Sequence, residues 1–278
     1  MRDQQETNFA KDVLRANIAM HTALAGTYEL EQPHFRPENQ ALVSRRLADY
    51  AQRVGNRVLV DLGCGTGFVI QLAVPLYEQI YGVDITSAML SRVDTSSRKV
   101  KVIKSTTEQI ALKGNIADVV TANSFLHHLY DVRPTLAEAY RLLKKGGVFW
   151  SEEDPNFDFW QAIKNLKSGG GPVVQREIEA VLKTEEAIEG SKGISADTVK
   201  MAEYQKMVLG GMKAHELRQV LCQLGFSTVN IEYYWFLGEG TILHQWSPES
   251  VQVIDSYLRT VLPLSSHLFK YLRVEAYK

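Results

Sequence analysis

The residues best suited to chemistry form a glycine-rich segment with acidic residues near it. Asp61-Leu62-Gly63-Cys64-Gly65-Thr66-Gly67 follows the apolar run Val58-Leu59-Val60 and precedes a second apolar stretch at 68–72. Asp84 ends the next predicted strand, 23 residues (84 − 61) after Asp61. Glycines let a backbone turn tightly and approach a ligand, and an acid at a strand tip can accept both hydroxyls of a ribose. The pattern therefore predicts a strand, loop and helix that bind a nucleoside-containing cofactor.

The charge and spacing of this loop indicate which nucleoside cofactor it would bind. A dinucleotide brings a pyrophosphate, which favours bare N–H groups and a helix N-terminus and is repelled by a nearby carboxylate. Asp61 stands two residues before the first glycine, and the third glycine of G-x-G-x-x-G is expected at position 68, where the chain has Phe68 instead. Both features disfavour NAD. They favour a ligand with a cationic amino group and a sulfonium, which describes S-adenosylmethionine.

Predicted strands and helices alternate on both sides of the loop. Apart from the strand before the loop, the predicted strands are 80–83, 100–103, 119–122, 148–151 and 228–236, with 271–277 as an edge strand, and the predicted helices include 87–93, 134–143 and 215–221. Alternation of this kind is typical of an α/β fold with a doubly wound parallel sheet. Ligands of such sheets lie beyond the carboxyl ends of the strands, where the loop and the acid after the second strand would meet.

The chain divides into four predicted regions. After Pro155 the sequence no longer shows the residue pattern of strands. Ser168–Pro172 forms a glycine-rich break, and helix-favouring stretches follow at Val174–Glu189 and Ala196–Leu209. Aromatic residues concentrate in and after this part, which predicts a lid over a flat or apolar acceptor, with ordinary core packing as the alternative. The four regions are an N-terminal helical lid or cap (1–55), the cofactor-binding core (56–155), a helical insertion forming an acceptor pocket or lid (156–210), and the remainder of the core sheet with a C-terminal helix (211–278).

Several segments resemble motifs of the class I S-adenosylmethionine-dependent methyltransferases, most closely the small-molecule branch that includes quinone-biosynthesis methyltransferases. The segments that carry the resemblance over most of the chain are 58–67, 82–90, 117–129, 142–147 and 224–226. The resemblance implies a Rossmann-like α/β fold with N-terminal helices and a helical insertion after strand five. Its seven-stranded, mostly parallel sheet would have the order 3-2-1-4-5-7-6, with the last strand antiparallel.

The resemblance also implies a set of cofactor-binding residues. They are Asp61, Gly63, Cys64, Gly65 and Gly67 around the methionine part, Asp84 at the ribose, Ile85 and Met89 at the adenine, Asn123 closing the pocket, and Tyr28 over the cofactor. The acid that family members often place after strand three is absent at the expected position within Ser105-Thr106-Thr107-Glu108, so Thr106, beside Thr107, or a backbone carbonyl would take its place. Packing roles are the alternative for Tyr28 and for Cys64.

Three residues in the segments after strands four and five are candidate general bases. Methyl transfer from a sulfonium needs chiefly alignment, and a base helps only when the acceptor is a weak acid. His127, His128 and Glu152 are placed for that role, with capping and packing as the alternative for each. Adjacent histidines in a helix point about 100° apart and lack the i, i+4 spacing of a helical metal pair, so no metal site is expected.

Composition narrows the function further. Thirty-one Lys and Arg against 32 Asp and Glu give a net charge of −1, so no global positive field would attract nucleic acid or an anionic membrane. No run of about 18 uncharged apolar residues is present, and Cys64 and Cys222 form no metal or disulfide framework, which predicts a cytoplasmic protein. The sequence therefore predicts a methyltransferase for a small-molecule acceptor. A cofactor-binding sensor or partner subunit, an RNA or protein methyltransferase, and an NAD-dependent oxidoreductase remain the alternatives.

Overall fold

A single sheet forms the centre of the computed structural model, which describes residues 2–165, 171, 175, 178, 179 and 193–278. Its strands are β1 (Val58–Leu62), β2 (Gln79–Asp84), β3 (Val100–Lys104), β4 (Ala117–Asn123), β5 (Leu143–Pro155), β6 (Thr228–Phe236) and β7 (Phe269–Tyr277). Within the described residues, seven strands follow the order β3-β2-β1-β4-β5-β7-β6. Strands β1 to β5 pair in parallel, and β7 is antiparallel to both of its neighbours. The expected order and the antiparallel last strand are confirmed.

Helices lie against both faces of the sheet. They are α1 (Arg2–Leu24), α2 (Tyr28–Glu31), α3 (Pro37–Val54), α4 (Phe68–Ala73), α5 (Ser87–Leu90), α6 (Arg133–Leu142), α7 (Phe157–Asn165), α8 (Ala196–Ala202), α9 (Ala214–Leu224), α10 (Glu239–Gln245) and α11 (Pro248–Thr260). Short 3₁₀ turns occur at Pro33–Phe35, Leu126–His128 and Ser266–Leu268, and a π-helical turn at Tyr204–Val208. In the described part of the chain, no helix has the length and apolar character needed to cross a membrane.

The two faces of β1 carry separate apolar cores because successive side chains of a strand point to opposite sides. Leu59 packs with Leu47 of α3 and Phe68 of α4 on one face. Val60 packs on the other face, in a cluster that includes residues of α6 and α9. Leu59 and Val60 are fully buried, and burying a side chain of this kind is worth about 1.5–3 kcal/mol. The loop after β1 therefore leaves a strand that is fixed on both sides.

The N-terminal helix packs against the insertion above the carboxyl ends of the strands. Met20 and Leu24 of α1 form a buried cluster with Val199 and Ala202 of α8 and with Met89 of α5. This contact places α1 and α8 on the side of the sheet where the glycine loop lies.

Three sequence-based expectations differ from the structure. The segment 271–277 was expected at the sheet edge, and this was wrong: β7 lies between β5 and β6, and β6 is the edge. The helix expected at 87–93 ends at Leu90, and the stretch 196–209 divides into α8 and the π-helical turn. The predicted break at 168–172 and the predicted helix at 174–189 lie outside the described residues, apart from four isolated positions.

Candidate active site

The carboxyl ends of β1, β2, β3 and β4 open into a cavity of 510 Å³ beneath helix α1. The loops after these strands line it from below, and Asn17 and His21 of α1 line it from above. This is the place where ligands bind in open α/β sheets, and the volume lies within the range of small-molecule sites.

Asp84 connects the glycine loop to the end of β2. Its Oδ2 accepts the N–H of Gly65 at 3.0 Å, and its Oδ1 accepts the N–H of Thr86 at 2.7 Å. Each carboxylate oxygen has a second lone pair, so the side chain can still accept hydroxyl groups from a ligand. The two backbone donors fix the carboxylate at the cavity wall.

Asp61 places a buried carboxylate at the floor of the cavity. It is 2% exposed, and the hydroxyl of Thr121 donates to its Oδ1 at 2.7 Å. Burial raises the pKa of Asp61 to about 7, against the Thr121 hydrogen bond, and the neighbouring Asp84 raises it further. A cationic group in the cavity would offset this desolvation and favour the ionised carboxylate.

The glycine loop is shaped by close contact as well as by backbone angles. Gly63 has φ +67° and Gly67 has φ +95°, a region that L-residues rarely occupy. A Cβ at Gly63 would overlap the ring of Phe125, which follows β4. Glycine is therefore required at position 63 both for its backbone angle and for the approach of the next loop.

Two buried polar atoms of the cavity residues lack a partner within the described part of the chain. They are Oγ1 of Thr66 and Oδ1 of Asn123, and both residues line the cavity. An unpaired buried polar atom costs about 1–3 kcal/mol, a cost that a polar ligand can remove. Together with Asp61 and Asp84, these atoms fit a ligand that carries a cation, hydroxyl groups and hydrogen-bond donors, as S-adenosylmethionine does.

Most of the residues that the sequence assigned to the cofactor lie together. The cavity is lined by Tyr28, Asp61, Gly63, Cys64, Gly65, Asp84, Ile85, Thr106, Thr107 and Asn123. Gly67 instead forms the N-cap of α4 in a left-handed conformation. Met89 is fully buried in the cluster beneath α1 and is not among the residues that line the cavity, so its predicted contact with the adenine stays a prediction. The Thr107 hydroxyl shares a hydrogen bond of 2.8 Å with Thr135.

Aromatic and imidazole rings line the end of the cavity near the N-terminal helices. The ring of His34 lies 5.8 Å from that of Tyr28 and 4.7 Å from that of Phe68. Burial lowers the pKa of His34 to about 4, so this imidazole is neutral at neutral pH. Burial and the carboxylates of Glu153, Glu203 and Asp84 raise the pKa of Tyr28 above its usual range, so the phenol keeps its proton.

Of the two adjacent histidines, His128 lines the cavity and His127 does not. Nδ1 of His128 donates to the carbonyl of Ala202 at 2.8 Å, which leaves Nε2 as the acceptor nitrogen of the neutral ring. Burial, followed by His127, lowers the pKa of His128 well below its usual value. Burial alone would lower the pKa of His127, but Glu203 and Asp154 outweigh it and raise that pKa. The pKa values of the neighbours are thus shifted in opposite directions, and only His128 has access to the cavity.

Glu152, predicted as a candidate base, is not among the residues that line the cavity. Its Oε2 accepts Nε of Arg273 at 2.6 Å and lies 3.6 Å from Nε of Arg46. The side chain is 8% exposed and both neighbours are cations, so Glu152 is held as a structural ion pair. The next residue, Glu153, turns towards the site: its Oε2 lies 3.8 Å from Nδ1 of His34.

The sequence reasoning missed residues that line the cavity, His34 and Thr66, and residues that contact its lining, Glu153 and Glu203. Glu153 has φ +66° in a strand with a register shift between Ser151 and Asp154. Burial and the carboxylate of Glu152 raise the pKa of Glu153 to about 7. Thr66 could have been found because it lies inside the glycine loop, whereas nothing local marks His34 or Glu203.

Comparisons with known proteins identify a methyltransferase domain in this chain. Residues 60–151 match the model of a methyltransferase domain. A ubiquinone biosynthesis O-methyltransferase of Saccharophagus degradans is 30% identical over 148 residues, which cover 51% of this chain and 63% of that protein. The chain spans about half to two thirds of the length of the curated relatives it matches first.

Solved structures show the same fold. An S-adenosylmethionine-dependent methyltransferase from Archaeoglobus fulgidus has a TM-score of 0.51 at 21% identity, over 86% of this chain and 94% of that one. Phosphoethanolamine N-methyltransferase 2 of Haemonchus contortus, in complex with phosphomonomethylethanolamine and S-adenosylhomocysteine, has a TM-score of 0.58 at 13% identity, over 97% of this chain and 60% of that one. At these identities the likeness concerns the fold alone.

Proposed function

We propose that this chain, which carries an S-adenosylmethionine-dependent methyltransferase domain, transfers a methyl group from that cofactor to a small-molecule acceptor bound in the same cavity. One observation carries the proposal. The same cavity is lined by the buried Asp61 and the half-buried Asp84 and by the rings of Tyr28, His34 and His128. A cofactor at the acidic end and an acceptor at the other would therefore share one enclosed space.

The cofactor roles follow from the charge and hydrogen-bond capacity of each group. Asp61 would pair with the cationic amino group, and this partner would lower the pKa that burial has raised and favour the carboxylate. Asp84 would accept the ribose hydroxyls with its free lone pairs. Thr66 and Asn123 would use the hydroxyl and carbonyl that lack partners in the described chain. Gly67 and Met89 would act indirectly, by shaping the loop and supporting α5.

Methyl transfer requires chiefly that the protein align the acceptor, the methyl carbon and the sulfur. This alignment can lower the activation barrier by about 7–11 kcal/mol. His128 is the proposed proton acceptor, because Nε2 of its neutral ring carries the available lone pair and the ring lines the cavity. A base of this kind adds about 10²–10⁴-fold for a weakly acidic hydroxyl. His127 and Glu152 are not proposed as bases, since neither lines the cavity.

The proposed acceptor is a small, flat or apolar molecule. The cavity volume of 510 Å³ must accommodate both cofactor and acceptor, and the rings of Tyr28, His34 and Phe68 form its wall. Helix α1 of the predicted N-terminal lid (1–55) lines the cavity, and helix α8, within the predicted insertion (156–210), packs against α1. Both cysteines are free, which is typical of proteins in the reducing cytoplasm and supports a cytoplasmic location as part of the proposal. The quinone-biosynthesis relatives suggest phenolic acceptors as the first compounds to test.

A transfer assay with a radiolabelled methyl group tests the proposal. The purified chain is incubated with labelled S-adenosylmethionine and a panel of catechols, phenols and quinols, and the product is extracted into organic solvent. Cofactor-dependent labelling of an extracted product supports the proposal. Tight binding of S-adenosylhomocysteine without turnover on the panel would favour a non-catalytic sensor, and labelling of added RNA or protein would replace the small-molecule acceptor.

A further inference from the structure

A second polar cluster lies beside the ring-lined end of the cavity. Nε2 of His127 lies 3.8 Å from Oε2 of Glu203, and Nδ1 of His128 lies 3.8 Å from Oε1 of the same carboxylate. One ligand atom from each of the three side chains lies within 4.8 Å of the other two. The side chains are 8%, 11% and 15% exposed, so three potential metal ligands converge in a nearly buried space.

The spacing fits ligands that share an ion better than partners in a hydrogen bond. A charge-assisted N–H···O bond is about 2.7–2.9 Å long, and Nε2 of His127, the nitrogen that Asp154 leaves free, stops 3.8 Å from Oε2 of Glu203. Two ligands at the usual zinc distances in a tetrahedral site lie about 3.3–3.6 Å apart. The His127–Glu203 separation therefore exceeds the spacing of two zinc ligands by only a few tenths of an ångström.

Both histidines already make the outer contacts that orient metal-bound imidazoles. Oδ1 of Asp154 accepts the backbone N–H of His127 and lies 3.1 Å from its Nδ1, which leaves Nε2 directed to Glu203. Nδ1 of His128 donates to the Ala202 carbonyl at 2.8 Å. Metal-bound histidines commonly donate their second N–H to a carboxylate or a backbone carbonyl, which fixes the tautomer and the ring.

We propose that His127, His128 and Glu203 form a binding site for a divalent transition-metal ion, with zinc as the ion the donor set suits best. Two imidazoles and one carboxylate are ligands that zinc accepts, and three protein ligands leave a fourth position open. Because His128 also lines the cavity, an oxygen of the acceptor could take that position. The ion would then lower the pKa of an acceptor hydroxyl, in place of direct proton acceptance by His128.

Lys206 opposes the binding of a cation at this site. Its Nζ lies 3.9 Å from Oε2 of Glu203, at the distance of the imidazole nitrogens. An ion on the same carboxylate would be repelled by the ammonium group. Replacing Lys206 with Met should therefore tighten metal binding several-fold, whereas loss of a merely structural Lys206–Glu203 pair would leave metal affinity unchanged.

The test is a calorimetric titration of the chelator-treated full chain with Zn²⁺, repeated with Co²⁺ so that visible absorption reports the coordination number. The expected result is one equivalent of tightly bound Zn²⁺ and a four-coordinate Co²⁺ spectrum. Glu203→Gln and His127→Asn should each weaken binding at least about 100-fold, and Asp154→Asn about 10- to 100-fold. Circular dichroism of each variant verifies its fold.

A matched control is present on the surface. Nε2 of His215 lies 3.9 Å from Oε1 of Glu216, a similar pair that is 79% and 57% exposed and has no second histidine. His215→Asn should leave zinc affinity unchanged. The proposal is overturned if the wild-type chain binds no stoichiometric zinc, as it would if His127 were simply an imidazolium between Asp154 and Glu203. It is also overturned if His215→Asn weakens binding as much as Glu203→Gln. S-adenosylhomocysteine affinity, measured separately, keeps this outcome distinct from failure of the proposed methyl transfer.

Discussion

Replacing Asp61 with Asn removes a buried charge from the cavity floor while keeping the shape of the side chain and an acceptor for the Thr121 hydroxyl. Burial raises the pKa of Asp61 from 3.8 to about 7. Each unit of such a shift corresponds to 1.36 kcal/mol, so full ionisation of Asp61 costs the ligand-free fold about 4 kcal/mol. The variant does not incur this cost and should be the more stable protein at alkaline pH.

The raised pKa of Asp61 determines whether the free energy of unfolding rises or falls with pH. The favourable state, with Asp61 protonated, is fully present below pH 3.8 and is lost as pH rises through about 7. Between pH 5 and pH 8, the free energy of unfolding of the wild type should therefore fall by about 2–3 kcal/mol relative to Asp61→Asn. Although Asp61→Asn should be the more stable protein at alkaline pH, it should bind S-adenosylhomocysteine more weakly than the wild type. Loss of a hydrogen bond to a charged group weakens this binding by about 10- to 100-fold.

The assay is urea unfolding of both proteins at pH 5, 6, 7 and 8 without ligand, with calorimetric titration of S-adenosylhomocysteine at pH 8. Thr121→Val serves as a control that removes the hydrogen bond lowering the pKa of Asp61, so it should steepen the pH dependence. A stability difference between the wild type and Asp61→Asn that stays constant from pH 5 to pH 8 would refute the reasoning about this carboxyl group.

Three further predictions concern the loop, the proposed base and the ion pair beneath the site. Gly63→Ala should abolish S-adenosylhomocysteine binding and lower the free energy of unfolding by about 2–4 kcal/mol in urea melts, because the new methyl group overlaps Phe125 at a positive φ. His128→Asn should lower the radiometric transfer rate about 10²–10⁴-fold with little change in cofactor affinity. Arg273→Met should lower the free energy of unfolding by about 3 kcal/mol, because it removes the 2.6 Å partner of buried Glu152, yet leave the rate per folded molecule unchanged.

Each of these predictions has a control within the chain. Gly146 has φ +81° and open space around its Cβ position, so Gly146→Ala separates backbone strain from overlap with a neighbour. His215→Asn, on the surface, should leave the transfer rate intact. Adding Glu152→Gln to the Arg273 variant should restore part of the lost stability. The glycine prediction is contradicted if Gly63→Ala and Gly146→Ala lose the same free energy of unfolding. The histidine prediction is contradicted if His128→Asn and His215→Asn have the same transfer rate. The ion-pair prediction is contradicted if Glu152→Gln restores no stability to the Arg273 variant.

The parts of the site predictable from sequence are those in which chemistry and spacing are local. Asp61, the glycines and Asp84 lie within 24 residues (61 to 84) on two adjacent strands, and one local pattern specifies strand, loop and acid. The strand order followed from a resemblance to a family. The local sequence pattern of 271–277 predicted an edge strand, whereas β7 lies between β5 and β6. A local pattern does not show which strands a segment pairs with.

The rest could not be predicted because the contacts join distant parts of the chain or depend on local irregularity. Glu203 meets His127 across 76 residues (203 − 127), through the packing of α8 on α1. In the acidic run, a regular strand would place Glu152 and Asp154 on one face. The register shift and the positive φ of Glu153 instead give the acids separate partners: Arg273, His34 and His127. Sequence periodicity contains no signal for either effect.

The most direct test of the account is a calorimetric titration of the wild-type chain and Asp84→Ala with S-adenosylhomocysteine, with NAD as the control ligand. The account predicts one molecule of S-adenosylhomocysteine per chain, no binding of NAD, and affinity at least about tenfold weaker in the variant, because the ribose hydroxyls lose a charged acceptor. Equal affinity in the two proteins, or binding of NAD in place of S-adenosylhomocysteine, would contradict the assignment of the cavity.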